Sequence, residues 1–367
     1  MVDWLAGKRI KGTSTERTTT AGIGTGVGGW VELGRTTLGS ANFNMTVSSL
    51  ANKRYYMVLM STLPTGSGPT NWLSRIGNST IDTGSNYSRR KSQDGGADVT
   101  ATSTNTFFEH FGGEQTQRFG YHYISNYATK EKLGIGHHVS ANTVGAGTAP
   151  YERNEIVNKW ANTSNVMDVF QLRDDGADTY GAGSEVVVLG YDPADTHSTN
   201  FWTELASADL SGGIVDTGVF TAKKYLWIQG YCITGTVSGG FQGMFVGNGT
   251  VDKTTSYSLR YSINGVSDGI AVNQSANGPF ALTGQGGASS NDISFFNIFV
   301  INNASNEKLF IGHNIFGNKT AGAGTANNRT ECVAKWTNTS NQINRISVEY
   351  VGTGSLTAGT LKVWGSN

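Results

Sequence analysis

Charge, proline and cysteine are all scarce in this sequence. Of 367 residues only 15% are charged, 27 of each sign, so the formal net charge is zero. A chain that grips a polyanion carries a basic excess or stripe, which argues against nucleic acid as a partner. Two cysteines, Cys232 and Cys332, are too few for a disulfide framework or a Cys-based zinc site, although spacing alone leaves a single bridge between them open. No apolar run approaches the roughly 18 residues of a membrane helix. Residues 1–11 lack the apolar core of a secretory signal. The expectation is a soluble chain made in the cytoplasm, without membrane insertion. G-x-S-x-G, H-E-x-x-H, a P-loop and C-x-x-C are all missing, so the chain is not expected to be an enzyme, and no catalytic, cofactor or metal residue is assigned. Gly24, Gly26 and Gly29 match G-x-G-x-x-G in form only, because no strand pattern precedes them and no helix pattern follows.

Glycine is abundant, at 50 residues against 5 prolines, and short aromatic and β-branched runs alternate with Ser, Thr and Asn. That is the composition of an all-β protein with many tight turns. The chain also repeats itself. Glu131-Lys-Leu-Gly-Ile-Gly-His137 and Lys159-Trp-Ala-Asn-Thr-Ser-Asn165 return as Glu307-Lys-Leu-Phe-Ile-Gly-His313 and Lys335-Trp-Thr-Asn-Thr-Ser-Asn341, each displaced by 176 residues (307 − 131). A period that long is a whole domain copied once. Earlier blocks, such as Tyr55-Tyr-Met-Val-Leu-Met60 against Tyr225-Leu-Trp-Ile-Gln-Gly230, keep an offset of 170 (225 − 55). Roughly eight strand-like segments per repeat, with turn signals such as Asp94-Gly95 and Asn264-Gly265, predict two tandem homologous antiparallel β-sandwich domains of jelly-roll type. The expected division is an N-terminal arm at 1–28, a first repeat at 29–190, a linker at 191–200 and a second repeat at 201–367. Tyr151–Trp160 is the single candidate for a helix.

Four features invite a chemical reading. His137 and His313 are equivalent, each with a Glu six residues earlier and an Arg sixteen later, Arg153 and Arg329. Lys130 and His138 become Asn306 and Asn314, so neither repeat offers a shared second ligand nearby, and a structural imidazole is the preferred reading over a ligand. Trp160 and Trp336, beside amide and hydroxyl groups, suit either a glycan-stacking platform or a core indole followed by an Asn/Ser turn. Asp82, Asp98, Asp252, Asp268 and the Asp174–Asp178 run lie in loops that suit calcium, but Asp also favours turns for its own hydrogen bonds. Trp4 and Leu5 would be apolar anchors if the N-terminal arm docks on a neighbouring subunit.

Trp4-Leu-Ala-Gly-Lys-Arg-Ile-Lys-Gly-Thr-Ser-Thr-Glu-Arg17, Leu33-Gly-Arg-Thr-Thr-Leu-Gly-Ser40 and Asp82-Thr-Gly-Ser-Asn-Tyr-Ser88, with the Glu-Lys-Leu and Lys-Trp blocks, resemble virion structural proteins of marine tailed phages. The resemblance implies a non-enzymatic component of the virion, assembled in the host cytoplasm, as a capsid-surface decoration or in a tail appendage, with other virion proteins as partners. A homo-oligomer is expected there, because symmetric shells and fibres reuse one interface. The alternatives are an adhesin that binds host-surface glycans near Trp160 and Trp336, and a double jelly-roll capsid protein.

Overall fold

The computed structural model describes residues 29–367 except 64, 66–70, 112–115, 175–178, 194–198, 237, 276–277, 279, 282–290 and 318–325; of the first 28 residues it describes only the backbone of two short strands. These are β1 (Asp3–Leu5) and β2 (Arg9–Lys11), which pair antiparallel with Trp4 opposite Ile10. The Trp4 and Leu5 side chains and the rest of the arm lie outside the described residues, as does the middle of the linker.

All described regular structure is β. The first repeat runs β3 (Val31–Thr37), β4 (Asn44–Val47), β5 (Tyr55–Thr62), β6 (Asn71–Asn78), β7 (Thr80–Ile81), β8 (Tyr87–Gln93) and β9 (Val99–Thr104). It continues β10 (Glu109–Phe111), β11 (Arg118–Ser125), β12 (Lys132–Ser140), β13 (Glu152–Trp160), β14 (Val169–Arg173) and β15 (Glu185–Tyr191). The second runs β16 (Thr203–Asp209), β17 (Ile214–Asp216), β18 (Tyr225–Thr234), β19 (Ser238–Asn248), β20 (Thr250–Val251), β21 (Tyr257–Ile263) and β22 (Gly269–Gln274). It ends β23 (Phe280–Ala281), β24 (Ile293–Ile301), β25 (Lys308–Gly317), β26 (Asn328–Trp336), β27 (Arg345–Thr353) and β28 (Leu356–Ser366).

Each repeat thus holds more strands than the sequence suggested, because short pairs such as β6–β7 are too brief to leave a pattern. The helix candidate at 151–160 is the strand β13, paired on both sides with β12 and β8.

Each repeat makes one eight-stranded and one five-stranded sheet. The large sheets follow the orders β3-β15-β5-β11-β12-β13-β8-β9 and β16-β28-β18-β24-β25-β26-β21-β22, which match position for position. The small sheets are β10-β6-β14-β4 with β7 on β6, and β17-β27-β19-β20 with β23 on β19. Among the described residues no ladder joins a strand of one repeat to a strand of the other. The hairpins β8–β9 and β21–β22 turn on Asp94-Gly95 (φ 54° and 68°) and Asn264-Gly265 (φ 57° and 77°), where the left-handed region is cheap.

Successive side chains of a strand point to opposite faces, so a strand covered on both faces reads as an unbroken apolar run. β5 is such a strand. Tyr56, Val58 and Met60 enter a core shared with the small sheet of the first repeat, while Met57 and Leu59 enter a separate cluster. β24 divides in the same way. Phe296, Ile298 and Val300 go to the inner core of the second repeat, and Phe299 and Ile301 to that same separate cluster. This third cluster draws on both large sheets, so the layers run small, large, large, small.

The residues shared by the two repeats build the inner framework. Trp160 and Trp336 are each only 1% exposed, and their indole N–H groups donate to Asp82 Oδ2 at 2.8 Å and Asp252 Oδ2 at 2.9 Å. Lys132 and Lys308 lie over these indoles and donate to loop carbonyls, those of Lys130 and Asn162 in one repeat and of Asn306 and Asn338 in the other. Asn162 Oδ1 accepts from the Ser164 and Asn165 N–H groups, and Asn338 Oδ1 does the same for Ser340 and Asn341. The Lys-Trp-x-Asn-Thr-Ser-Asn block is therefore a strand end, a core indole and an Asn-capped turn. Cys232 and Cys332 are buried free thiols in the core of the second repeat, so the bridge that spacing left open is not formed.

Trp160→Ala is expected to lower unfolding stability by about 3–5 kcal/mol, the usual loss for a large buried aromatic. Denaturant titration of the purified chain checks this, and an unchanged midpoint would remove the indole from the list of core contributors.

Candidate functional site

On β12 and β25 the alternation that sends His138 and Asn314 inward sends His137 and His313 outward, into the seam where the two large sheets face each other. The imidazoles meet there, with ring centroids 4.4 Å apart and planes at 67°. Opposite each His on the neighbouring strand stands a glutamate, Glu155 for His137 and Glu331 for His313. The second imidazole that neither repeat supplies nearby in sequence comes from the other repeat. A ring nitrogen of His137, a ring nitrogen of His313 and a carboxylate oxygen of Glu155 all lie within 4.8 Å of one another.

Arg153 ties this group together. Its guanidinium hydrogen-bonds Glu155, reaches Glu331 Oε2 at 3.2 Å and donates to Asp268 Oδ1 at 2.6 Å. Arg329 pairs with Glu331 at 2.9 Å, and Arg260 with Asp94 at 3.4 Å. Burial raises the Glu155 carboxyl to about 7, opposed by Arg153 and reinforced by neighbouring Glu331. Burial also holds His137 well below the ordinary imidazole range, and His313 lies below it for the same reason.

The seam is not symmetric in what it covers. On the second repeat the apolar stripe Leu309, Ile311 and Val333 is at most 2% exposed, packed in one cluster with Phe119, Tyr121 and Val139 of the first. The equivalents of that stripe on the first repeat, Leu133, Ile135 and Val157, are 46–55% exposed. Phe119 and Val139 likewise have twins in Phe295 and Ile315, which are 51% and 41% exposed. The stripe and two of the three residues facing it therefore exist a second time, uncovered, while Tyr121 has its counterpart in Asn297, which accepts from Trp227 and Gln229.

A second histidine group lies inside the first repeat. His122 Nε2 is 2.8 Å from His138 Nε2, and His110 stacks on His138 and pairs with Glu152, all beside Trp72 and Phe108. Gly136 makes room for this, because a Cβ there would lie 2.0 Å from His122 Nε2. The second repeat has Ile298 and Asn314 at the places of His122 and His138, since Gly312 faces Ile298 as Gly136 faces His122. Among the described residues the buried Arg118 guanidinium has no hydrogen-bond partner, and Glu152 and Asp174 balance it through space.

The burial of Trp160 and Trp336 corrects the glycan-platform reading, because neither indole offers an open face to a sugar. Asp82 and Asp252 serve the indoles, Asp98 pairs with Arg90 and Asp268 with Arg153. The run 175–178 lies outside the described residues. The seam group was missed because its members lie far apart in sequence. The repeated His with its fixed Glu and Arg spacing was the available signal.

The inner histidines set a pH dependence. Burial pushes His122 down to about 3, and His110 and His138 also lie below the ordinary value. Depressed folded pKa values mean that the unfolded chain binds more protons below pH ~6.5. Their contribution is complete above that pH and lost as pH falls, by about 1.4 kcal/mol per group per unit. Glu155 acts oppositely, its contribution complete below pH ~4.5 and lost as pH rises through 7, but it is one group against five, since His137 and His313 are depressed as well. The denaturation midpoint should therefore fall between pH 7.5 and 5.5, and fall less in His122→Ile. A midpoint flat over that range would refute a neutral buried histidine group.

No family model and no curated protein matches the chain. Among solved structures, one from a study of the in-meso crystallization of membrane proteins is 9% identical over 77% of this chain and 82% of that chain, with a TM-score of 0.13. The crystal structure of Pseudomonas aeruginosa OpdQ is 7% identical over 84% of this chain and 97% of that chain, with a TM-score of 0.14. At such scores neither likeness carries an argument about fold or function.

Proposed function

We propose that the chain is a non-enzymatic virion building block, folded as two tandem antiparallel β-sandwiches, that associates head to tail with further copies of itself. The observation that carries the self-association is the doubled apolar stripe. Exposed apolar patches on a soluble protein mark contact surfaces, and here the chain itself indicates the occupant. What covers Leu309, Ile311 and Val333 is the Phe119–Val139 face of the other repeat, so the occupant fitted to Leu133, Ile135 and Val157 is the Phe295–Ile315 face of a neighbouring chain. Such a contact joins different patches, and it closes into a ring or grows into a fibre according to its rotation. Both outcomes suit a capsid-surface decoration or a tail appendage held by the arm at 1–28. The virion setting rests on the sequence resemblance. The sandwich reading rests on the inner core that each large sheet shares with its small sheet. Its jelly-roll form calls for eight strands in two Greek keys, and an eight-plus-five partition departs from that.

Sedimentation of the full chain should show oligomers that grow with concentration. Ile135→Asp or Phe295→Asp alone should give monomers, and mixing the two variants should give only a dimer, because one intact stripe of each kind remains. A wild-type chain that stays monomeric at all concentrations would rule out the contact. Independently, mass spectrometry of purified particles should find the chain among their proteins, and its absence there would remove the virion setting.

A further inference from the structure

We propose that the seam holds one divalent first-row transition-metal ion of the zinc class, bound by His137 and Glu155 of the first repeat and His313 of the second. This site does not depend on the virion reading. Three observations carry it. The three donor atoms already converge to within 4.8 Å of one another, from strands of two separate sheets. Neither imidazole has a hydrogen-bond partner among the described residues, and their contacts are ring contacts with each other and, for His137, with Tyr121. Both rings are partly open to water, so an ion can reach them, and coordination supplies the protein-side partner they lack. Lastly, three carboxylates, those of Glu155, Glu331 and Asp268, converge on the single Arg153 guanidinium beside the two rings, an arrangement that a cation would relieve.

The donor set chooses the metal. Two imidazoles and a carboxylate suit zinc and its neighbours, whereas calcium and magnesium prefer all-oxygen sites. The pocket around the three donors is lined also by Arg153, Glu331, Cys332 and Val333. Three protein donors leave a fourth tetrahedral position, which the Glu331 carboxylate lining the same pocket could take. Arg153 would act as a positioning residue, since its bonds to Glu155, Glu331 and Asp268 fix the carboxylates around the ion. Because the ligands come from both repeats, the ion would fasten one repeat to the other.

The test uses the full chain, freed of metal with a chelator and titrated with Zn²⁺ by calorimetry, and with Co²⁺ by visible absorption. The expected result is one Zn²⁺ per chain, Co²⁺ bands of a low-symmetry four- or five-coordinate ion, and a rise of a few degrees in unfolding temperature on loading. His137→Ala, His313→Ala and Glu155→Gln should each weaken binding at least tenfold, while His122→Ile in the inner group should bind as the parent does. Circular dichroism establishes that each variant is folded. If a histidine variant is not, Glu155→Gln and the parent's Co²⁺ spectrum decide. Failure of the parent chain to bind Zn²⁺ stoichiometrically would overturn the site, as would undiminished affinity in folded His137→Ala and His313→Ala variants.

Discussion

The two large sheets are apolar on both faces, and the rest of the structure follows from that. A sheet with one wet face can stand alone behind a single layer, but β5, β15, β18 and β24 send large side chains both ways. Each small sheet covers an inner face. The outer faces then have only each other, and Met57, Leu59, Phe119 and Val187 of one repeat meet Tyr225, Phe299, Leu309 and Ile311 of the other. At roughly 25 cal/mol per Å² of apolar surface removed from water, separating the repeats would expose a second core's worth of side chains. The seam is thus as much a part of the folded state as either inner core.

Duplication fixed the inner framework and left the seam free to diverge. Asp82, Trp160, Lys132 and Asn162 have exact counterparts with nearly identical hydrogen bonds. The seam charges follow another rule. Arg153 reaches Asp268 and Glu331, whereas its counterpart Arg329 pairs within its own repeat. A charge buried between sheets must be paired, so the partners are found wherever the facing sheet happens to place them. Lys335 and Glu307 are buried under the Thr143–Thr148 loop, while their twins Lys159 and Glu131 form an exposed pair.

Much of this was legible in the sequence. The composition and turn signals identify an all-β chain, and the repeat offset pairs Tyr55–Met60 with Tyr225–Gly230, which are the central strands β5 and β18. The repeated Glu-Lys-Leu block is the start of a strand in both repeats, β12 and β25. β13 misled because Arg153, Glu155 and Lys159 face the seam and its edge, so its outward positions carry charge and its pattern mimics a short amphipathic helix. Leu133 and Leu309 are the same residue in nearly the same local sequence, yet one is exposed and the other buried, and no periodicity could tell them apart. The meeting of His137 with His313 was hidden for a similar reason, since it depends on how two finished sheets face each other.

The uncovered stripe bears on how such a gene can change. A substitution at Ile311 is judged by its fit against the other repeat of the same chain, and its twin Ile135 would be judged by a surface of the same kind on another molecule. Selection on the two would be linked through a shared template. Related sequences should then show substitutions that correlate at a lag of 176 positions, a statistical echo between sites that never touch within one chain.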